Sequence, residues 1–174
     1  TLGIVGFGRI GQAMAQRAHH GFGMKIIVHN RSQIKKEILK CYNATQVATL
    51  DDLLPQSDFV SLHCPGGAEN HHLMNNRRLE LMKSNAFLIN TARGEVIDEY
   101  SLVQSLMSGD IGGAGLDVYQ DEPKVSRHLL QCDNLVLLPH LGSASIETRN
   151  EMGNRVFQNL IEFFNGSEPL DKVA

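Results

Sequence analysis

Cysteine is scarce in this chain, tryptophan is missing, and no apolar run approaches the length of a membrane span. Cys41, Cys64 and Cys132 are odd in number, widely separated and lack C-x-x-C spacing. That argues against a disulfide framework and a thiolate zinc site, and it fits a reducing, cytoplasmic setting. The formal charge is −3 with no basic block, so neither nucleic acid nor a membrane surface is an expected partner. A signal-peptide pattern is also lacking. What remains is an ordinary soluble composition, 42% hydrophobic and 20% charged over 174 residues, enough for one well-buried core. Thr1 stands directly before the first apolar run, which reads as a single domain, 1–174, excised from a longer protein.

What is present begins at once. Gly6-Phe7-Gly8-Arg9-Ile10-Gly11 is a G-x-G-x-x-G turn between an apolar run and a helix-forming stretch, the arrangement that holds a dinucleotide pyrophosphate. Gly6 permits the tight turn, Gly8 a close backbone approach to phosphate, and Gly11 close helix packing. The N-terminus of the following helix offers free N–H groups and about half a positive charge to an anion.

Short apolar runs alternate with helical patterns along the rest of the chain. Strands are expected at Leu2–Val5, Lys25–His29, Phe59–His63, Ala86–Asn90, Gly113–Leu116 and Leu135–Leu138, each short and continuous as in strands buried on both faces. Helices are expected at Arg9–His20 and at Ser32–Lys40, with Ser32 as an N-cap, and a helical turn at Leu50–Leu54 stops at Pro55. Glu99–Ser108 lies between an Asp98 cap and Gly109. A final helix is expected over about 144–165, ending at Asn165-Gly166. The alternation predicts an α/β fold with a doubly wound parallel sheet.

The second strand predicts which dinucleotide. An NAD-type site places a carboxylate at this strand end, about twenty residues past the glycines, for the ribose hydroxyls. Here the strand runs into Asn30-Arg31-Ser32, with no acid. A carboxylate would repel a 2′-phosphate, whereas an arginine and a hydroxyl can bind one, so NADP(H) is expected over NAD(H).

Three later strand ends carry polar residues, where an open α/β sheet binds its ligands. They read Asn90-Thr91-Ala92-Arg93, then Asp117 through Glu122-Pro123, then Pro139-His140-Leu141-Gly142-Ser143. Arg, Glu and His could therefore converge on one crevice. In the words GFGRIG, LHCP, INTARG, GLDVYQDEP and PHLGSAS, in order over almost the whole chain, the sequence resembles the nucleotide-binding domain of the D-isomer-specific 2-hydroxyacid dehydrogenases. With His29-Asn30-Arg31-Ser32 it is most similar to their NADPH-dependent glyoxylate/hydroxypyruvate reductase branch.

The resemblance implies a Rossmann fold and a catalytic trio, here Arg93, Glu122 and His140. Reduction of a 2-oxo acid delivers hydride to the carbonyl carbon while the oxygen gains a proton. His140 would donate that proton, since an imidazole titrates near pH ~6.5. Glu122 would orient its ring and favour its charged form. Arg93 would hold the substrate carboxylate with its planar fork. The resemblance also implies cofactor contacts from Phe7, Arg9 and Ile10 on the pyrophosphate turn, from His63, Cys64 and Pro65 on the adenosine side, and from Asn70 near the ribose or phosphate. Thr91, Ala92 and Arg93 would border the nicotinamide, Asp117 its carboxamide, and Gly142 and Ser143 would follow His140. Gly66-Gly67 departs from the bulkier residues common in that family.

A homodimer through this domain is implied too, and a separate substrate domain that this chain does not include. The chain alone is therefore expected to bind cofactor with little turnover, residues 166–174 leading back toward that other domain. The other function class is a dinucleotide-sensing, corepressor-like interaction protein on the same scaffold. A formate-dehydrogenase-like activity fits less well, because Glu122 stands where that relative carries Gln. No metal is expected: His19-His20 and His71-His72 are adjacent pairs whose side chains should diverge.

Overall fold

The computed structural model describes residues 1–172 as two compact units, Thr1–Pro139 and the segment from His140 onward. The first unit holds one seven-stranded sheet. Its strands are β1 (Leu2–Val5), β2 (Ile26–His29), β3 (Ala44–Gln46), β4 (Phe59–Leu62), β5 (Phe87–Asn90), β6 (Gly113–Leu116) and β7 (Leu135–Leu137). They run parallel in the order β3-β2-β1-β4-β5-β6-β7. The order reverses between β1 and β4, so the C-terminal ends of those strands open a crevice.

Helices α1 (Arg9–Gln16), α2 (Lys36–Cys41), α3 (Leu50–Leu53), α4 (Asn76–Leu79) and α5 (Glu99–Ser108) lie between the strands. Two apolar clusters fill the interior. One joins Leu2, Ile4 and Phe7 to Ala15, Ala18, Ile26 and Val28. The larger packs Val60, Leu62 and Leu88 against Leu53, Leu79, Leu102 and Leu106. α5 matches expectation closely: the Asp98 carboxylate accepts the Ser101 N–H and hydroxyl, and Gly109 ends the helix at φ +74°.

Four expectations need correction. The helix predicted to start at Ser32 starts at Lys36, and its N-cap is Lys35. The cause is β3, a strand the apolar pattern did not reveal because Ala44-Thr45-Gln46 is neither apolar nor fully buried. Gln46 on that strand accepts the Ile34 N–H at 2.9 Å and donates to the Ser32 carbonyl at 3.1 Å, holding 32–34 out of the helix. The first helix is α-helical only to Gln16 and continues as a π turn over Arg17–Gly21. Pro55 does not stop the α3 segment, which runs on as a 3-10 turn over Leu54–Gln56. Finally, the strands are not all buried on both faces: Phe59 and Phe87 stack with centroids 5.4 Å apart and remain 40% exposed, and Val136 is exposed as well.

The second unit contains α6 (Ile146–Phe164), starting two residues later than predicted, capped by the Ser145 hydroxyl on the Thr148 N–H. Asn165 and Gly166 end it as expected, with Gly166 at φ +77°. Beyond it the chain folds back, and Asp171 pairs with Arg155 and Asn159 on α6. Val173 and Ala174, the end of the stretch expected to lead away, lie outside the described residues.

Candidate active site

The glycine turn is built as its residues require. Gly6 has φ +90°, and a side chain there would meet the backbone of His63 and Cys64 at 2.8 Å, so β4 lies directly against it. A Cβ on Gly11 would fall 2.2 Å from the Gly6 carbonyl oxygen. At Gly8 a Cβ would meet only open space, which leaves the backbone at the start of α1 accessible. Phe7 is buried and stacks edge-on against Tyr42, while Gly8, Arg9 and Ile10 face solvent. The first turn of α1 carries no acidic residue to oppose an anion.

Asn30 at the end of β2 has a part its sequence position did not announce. Its side-chain carbonyl accepts the Phe7 N–H at 3.1 Å, and its amide donates to the carbonyl and hydroxyl of Ser32, both at 3.1 Å. One side chain therefore ties the glycine turn to the loop after β2. Asn30, Arg31 and Ser32 line a cleft of about 250 Å³ together with Gly6, Cys64, Pro65 and Asn70, all sequence-predicted. His29 and Glu69 complete its polar lining and were not predicted. Arg31 donates to the Glu69 carboxylate at 2.6 Å. The Nδ1 of His29 is buried without a partner.

The loop carrying the opposite wall is closed on itself. Asn70 donates to the Pro65 carbonyl at 3.0 Å, and the Gly67 N–H reaches the Glu95 carboxylate at 2.5 Å. Gly66 and Gly67 find their reason here: a Cβ at 66 would fall 2.3 Å from that carboxylate and 3.1 Å from the Arg93 side chain, and Gly67 has φ +102°. His63 is hydrogen-bonded to the Ser61 hydroxyl at 2.9 Å, and burial lowers its pKa below the ordinary imidazole value. Burial likewise pushes the Cys64 thiol up, which keeps it protonated. The adjacent histidines do not diverge as expected, because neither pair lies on regular α-helix or strand. His71 and His72 stack 3.9 Å apart, with His72 at φ +48°, and His19 and His20 meet edge-on at 4.9 Å.

Arg93 is presented by Asn90, a fully buried residue that sequence reasoning passed over. The Asn90 side chain accepts the Ala92 N–H at 3.0 Å and donates to the Arg93 carbonyl at 2.9 Å. This fixes the turn in which Thr91 and Arg93 are exposed while Ala92 is buried. Gly94 is wedged against the Tyr119 backbone, so the turn after β5 abuts the segment after β6. In that segment Glu122 accepts the Tyr119 N–H at 3.0 Å, and Glu99 accepts the Gln120 N–H at 2.7 Å. The Tyr119 hydroxyl donates to the Leu138 carbonyl at 2.6 Å, joining the exits of β6 and β7. Thr91 and the buried Asp117 line a second, largely apolar hollow of about 530 Å³ with Ile89, Leu116 and Leu138.

His140, Gly142 and Ser143 belong to the second unit. His140 has φ +55°, a left-handed backbone uncommon for residues other than glycine and enriched at functional sites. Ser143 accepts from Arg149 of α6 at 3.0 Å, which anchors the segment after His140.

The model of the D-isomer specific 2-hydroxyacid dehydrogenase NAD binding domain matches residues 1–142. The chain is 50% identical over 173 residues to a glyoxylate reductase of Thermococcus litoralis, covering 99% of this chain and 51% of that one. A glyoxylate/hydroxypyruvate reductase B of Klebsiella pneumoniae is 47% identical over 168 residues, or 96% of this chain and 51% of the relative. Among solved structures, the NADPH-dependent glyoxylate/hydroxypyruvate reductase of Sinorhizobium meliloti, in complex with NADP and malonate, superposes with a TM-score of 0.93 at 38% identity. That match covers 100% of this chain and 53% of the other. The chain thus spans about half the length of the curated relatives it matches.

Proposed function

This chain belongs to the D-isomer-specific 2-hydroxyacid dehydrogenase family, in its NAD-binding domain, and from that premise we propose that it is the cofactor half of an NADPH-dependent reductase of small 2-oxo acids of the glyoxylate or hydroxypyruvate type. The observation that carries the reading is one cleft lined by Gly6 of the glycine turn, by Asn30-Arg31-Ser32 and by Pro65 and Asn70. A dinucleotide fits that donor set: the backbone at Gly8 is open, an arginine and a hydroxyl follow the end of β2 on the cleft wall, and His29 offers a buried, unpartnered nitrogen. When bound, the reduced nicotinamide supplies the hydride.

Within this proposal Gly8, Arg9, Ile10 and the first N–H groups of α1 hold the pyrophosphate. Phe7, Gly6 and Gly11 shape that turn, while His63, Cys64 and Pro65 flank the adenosine and Asn70 the ribose or phosphate. Thr91, Ala92 and Asp117 border the nicotinamide, with Gly142 and Ser143 beyond His140. Arg93 grips the substrate carboxylate in a bidentate fork and polarises the carbonyl. His140 passes a proton to the carbonyl oxygen as the carbon takes the hydride, giving a 2-hydroxy acid of D configuration where that carbon is a stereocentre, and Glu122 orients its ring. The left-handed backbone at His140 supports a held, functional side chain.

Because the relatives are about twice as long, residues 1–174 alone are proposed to bind cofactor with little turnover. A homodimer and a cytoplasmic setting complete the reading. No helix among the described residues is long and apolar enough to cross a membrane. The test is an assay of the full-length protein with glyoxylate and hydroxypyruvate, each against NADPH and NADH, following loss of the reduced nicotinamide. Reduction faster with NADPH is expected. Absence of any 2-oxo acid reduction, or preference for NADH, would overturn the corresponding half of the proposal.

A further inference from the structure

The Arg31–Glu69 pair brings together residues 38 positions apart from two loops that line the same cleft. Glu69 is not a loose surface charge that happens to be near. It sits in the 3-10 turn Ala68–Asn70, whose Asn70 N–H bonds the Gly67 carbonyl and whose Asn70 side chain bonds the Pro65 carbonyl. Gly67, before the turn, is fixed to Glu95. Across the cleft, Arg31 follows Asn30, which is bonded on one side to Phe7 and on the other to Ser32. Both backbones are therefore set, and the two side chains meet at the cleft mouth while remaining largely in solvent, 88% and 77% exposed.

We infer that Glu69 is a specificity-determining residue that opposes the 2′-phosphate of a phosphorylated dinucleotide. The inference rests on the reading of Arg31 as the 2′-phosphate ligand. In the free protein the guanidinium already has an anionic partner, so binding a 2′-phosphate exchanges one ion pair for another instead of creating one. The displaced carboxylate then stands on the cleft wall beside a group carrying up to two negative charges. A cofactor without that phosphate leaves the pair intact. Glu69 thus narrows the preference that Asn30-Arg31-Ser32 creates, and the carboxylate missing from the end of β2 is supplied from the other wall.

The test uses two probes that differ only in the group at issue, adenosine 2′,5′-bisphosphate and adenosine 5′-monophosphate, titrated calorimetrically into the full-length protein and its variants. Glu69→Gln should tighten the bisphosphate about two- to fivefold, the range of an exposed ion pair, and leave the monophosphate unchanged. The gain should shrink with added salt and be smaller in the Arg31→Ala background. If Arg31→Ala weakens the bisphosphate but Glu69→Gln does not tighten it, the role of Glu69 is overturned while the 2′-phosphate reading stands. If Arg31→Ala weakens neither probe, both fall together. Weaker monophosphate binding by Glu69→Gln would instead make Glu69 a ligand of the ribose hydroxyls and overturn the opposing role.

Discussion

Asn30 and Phe7, 23 residues apart, are joined by a hydrogen bond of 3.1 Å from the Phe7 N–H to the Asn30 side-chain carbonyl. The end of β2 thereby holds the glycine turn that leads into α1. An aspartate could accept the same N–H, but it could not donate to Ser32 as the Asn30 amide does. Asn30→Asp should therefore keep the turn, bring a negative charge beside Arg31, and weaken 2′-phosphorylated cofactors about tenfold with little effect on unphosphorylated ones. Asn30→Ala removes the acceptor and should weaken both classes alike, by about 1 kcal/mol. Fluorescence titration of NADPH and NADH separates the two outcomes. Equal losses with Asn30→Asp would show that charge at this position is not read.

A second buried amide sets the arginine. Asn90 is fully buried, and both ends of its side chain bond the turn that carries Ala92 and Arg93. Truncation leaves the buried Ala92 N–H without its partner and takes one of two donors from the Arg93 carbonyl, at a cost of about 1–3 kcal/mol. Asn90→Ala should lower the denaturation midpoint of the protein. On the proposed function it should also raise KM of the full-length protein for the 2-oxo acid more than for the cofactor, because Arg93 loses its fixed turn. A change in stability with unaltered substrate KM would confine Asn90 to the fold.

These amides mark where the sequence was legible and where it was not. The glycine turn, the apolar strands and the capped α5 could be read because each depends on a local pattern: a motif, an apolar run, a cap at fixed spacing. Arg31 and Ser32 were readable as types at a strand end. Their partners were not, since Glu69 reaches Arg31 from 38 residues away and Gln46 reaches Ser32 and Ile34 from β3. The same non-local bonds displaced the start of α2. The Glu95 carboxylate and Arg93 side chain that occupy the space a Cβ at Gly66 would need lie almost thirty residues on, beyond the reach of a local pattern.

Thiol chemistry offers an independent check on the cleft. Cys41 is exposed, whereas Cys64 is buried in the cleft wall with its thiol pushed up by burial. The thiolate is the reactive form, so a disulfide reagent should modify Cys41 first and Cys64 last. Saturating NADPH should slow Cys64 further and leave the Cys41 rate unchanged. Mass spectrometry of timed aliquots reads the order. Cys64 modified as fast as Cys41, or unprotected by cofactor, would place it outside the cofactor cleft.

His63 links the same loop to pH. Burial disfavours its imidazolium, so its folded pKa lies below the ordinary value of 6.5. Between those two values the unfolded chain binds the proton and the folded chain does not, so acid favours unfolding. The contribution of a neutral His63 is complete above the ordinary imidazole range, falls as pH drops through about 6.5, and levels off below the folded pKa. His63→Gln carries no titrating proton and keeps an amide that can bond the Ser61 hydroxyl, the partner His63 holds at 2.9 Å. Urea denaturation from about pH 8 down to about pH 5 should show a shallower loss of stability for His63→Gln than for the parent protein. The two curves should diverge on the acidic side, where only the parent has the His63 ring to protonate. Parallel curves over that range would mean that His63 titrates alike in the folded and unfolded chains. Burial would then not be what holds the ring neutral against Ser61.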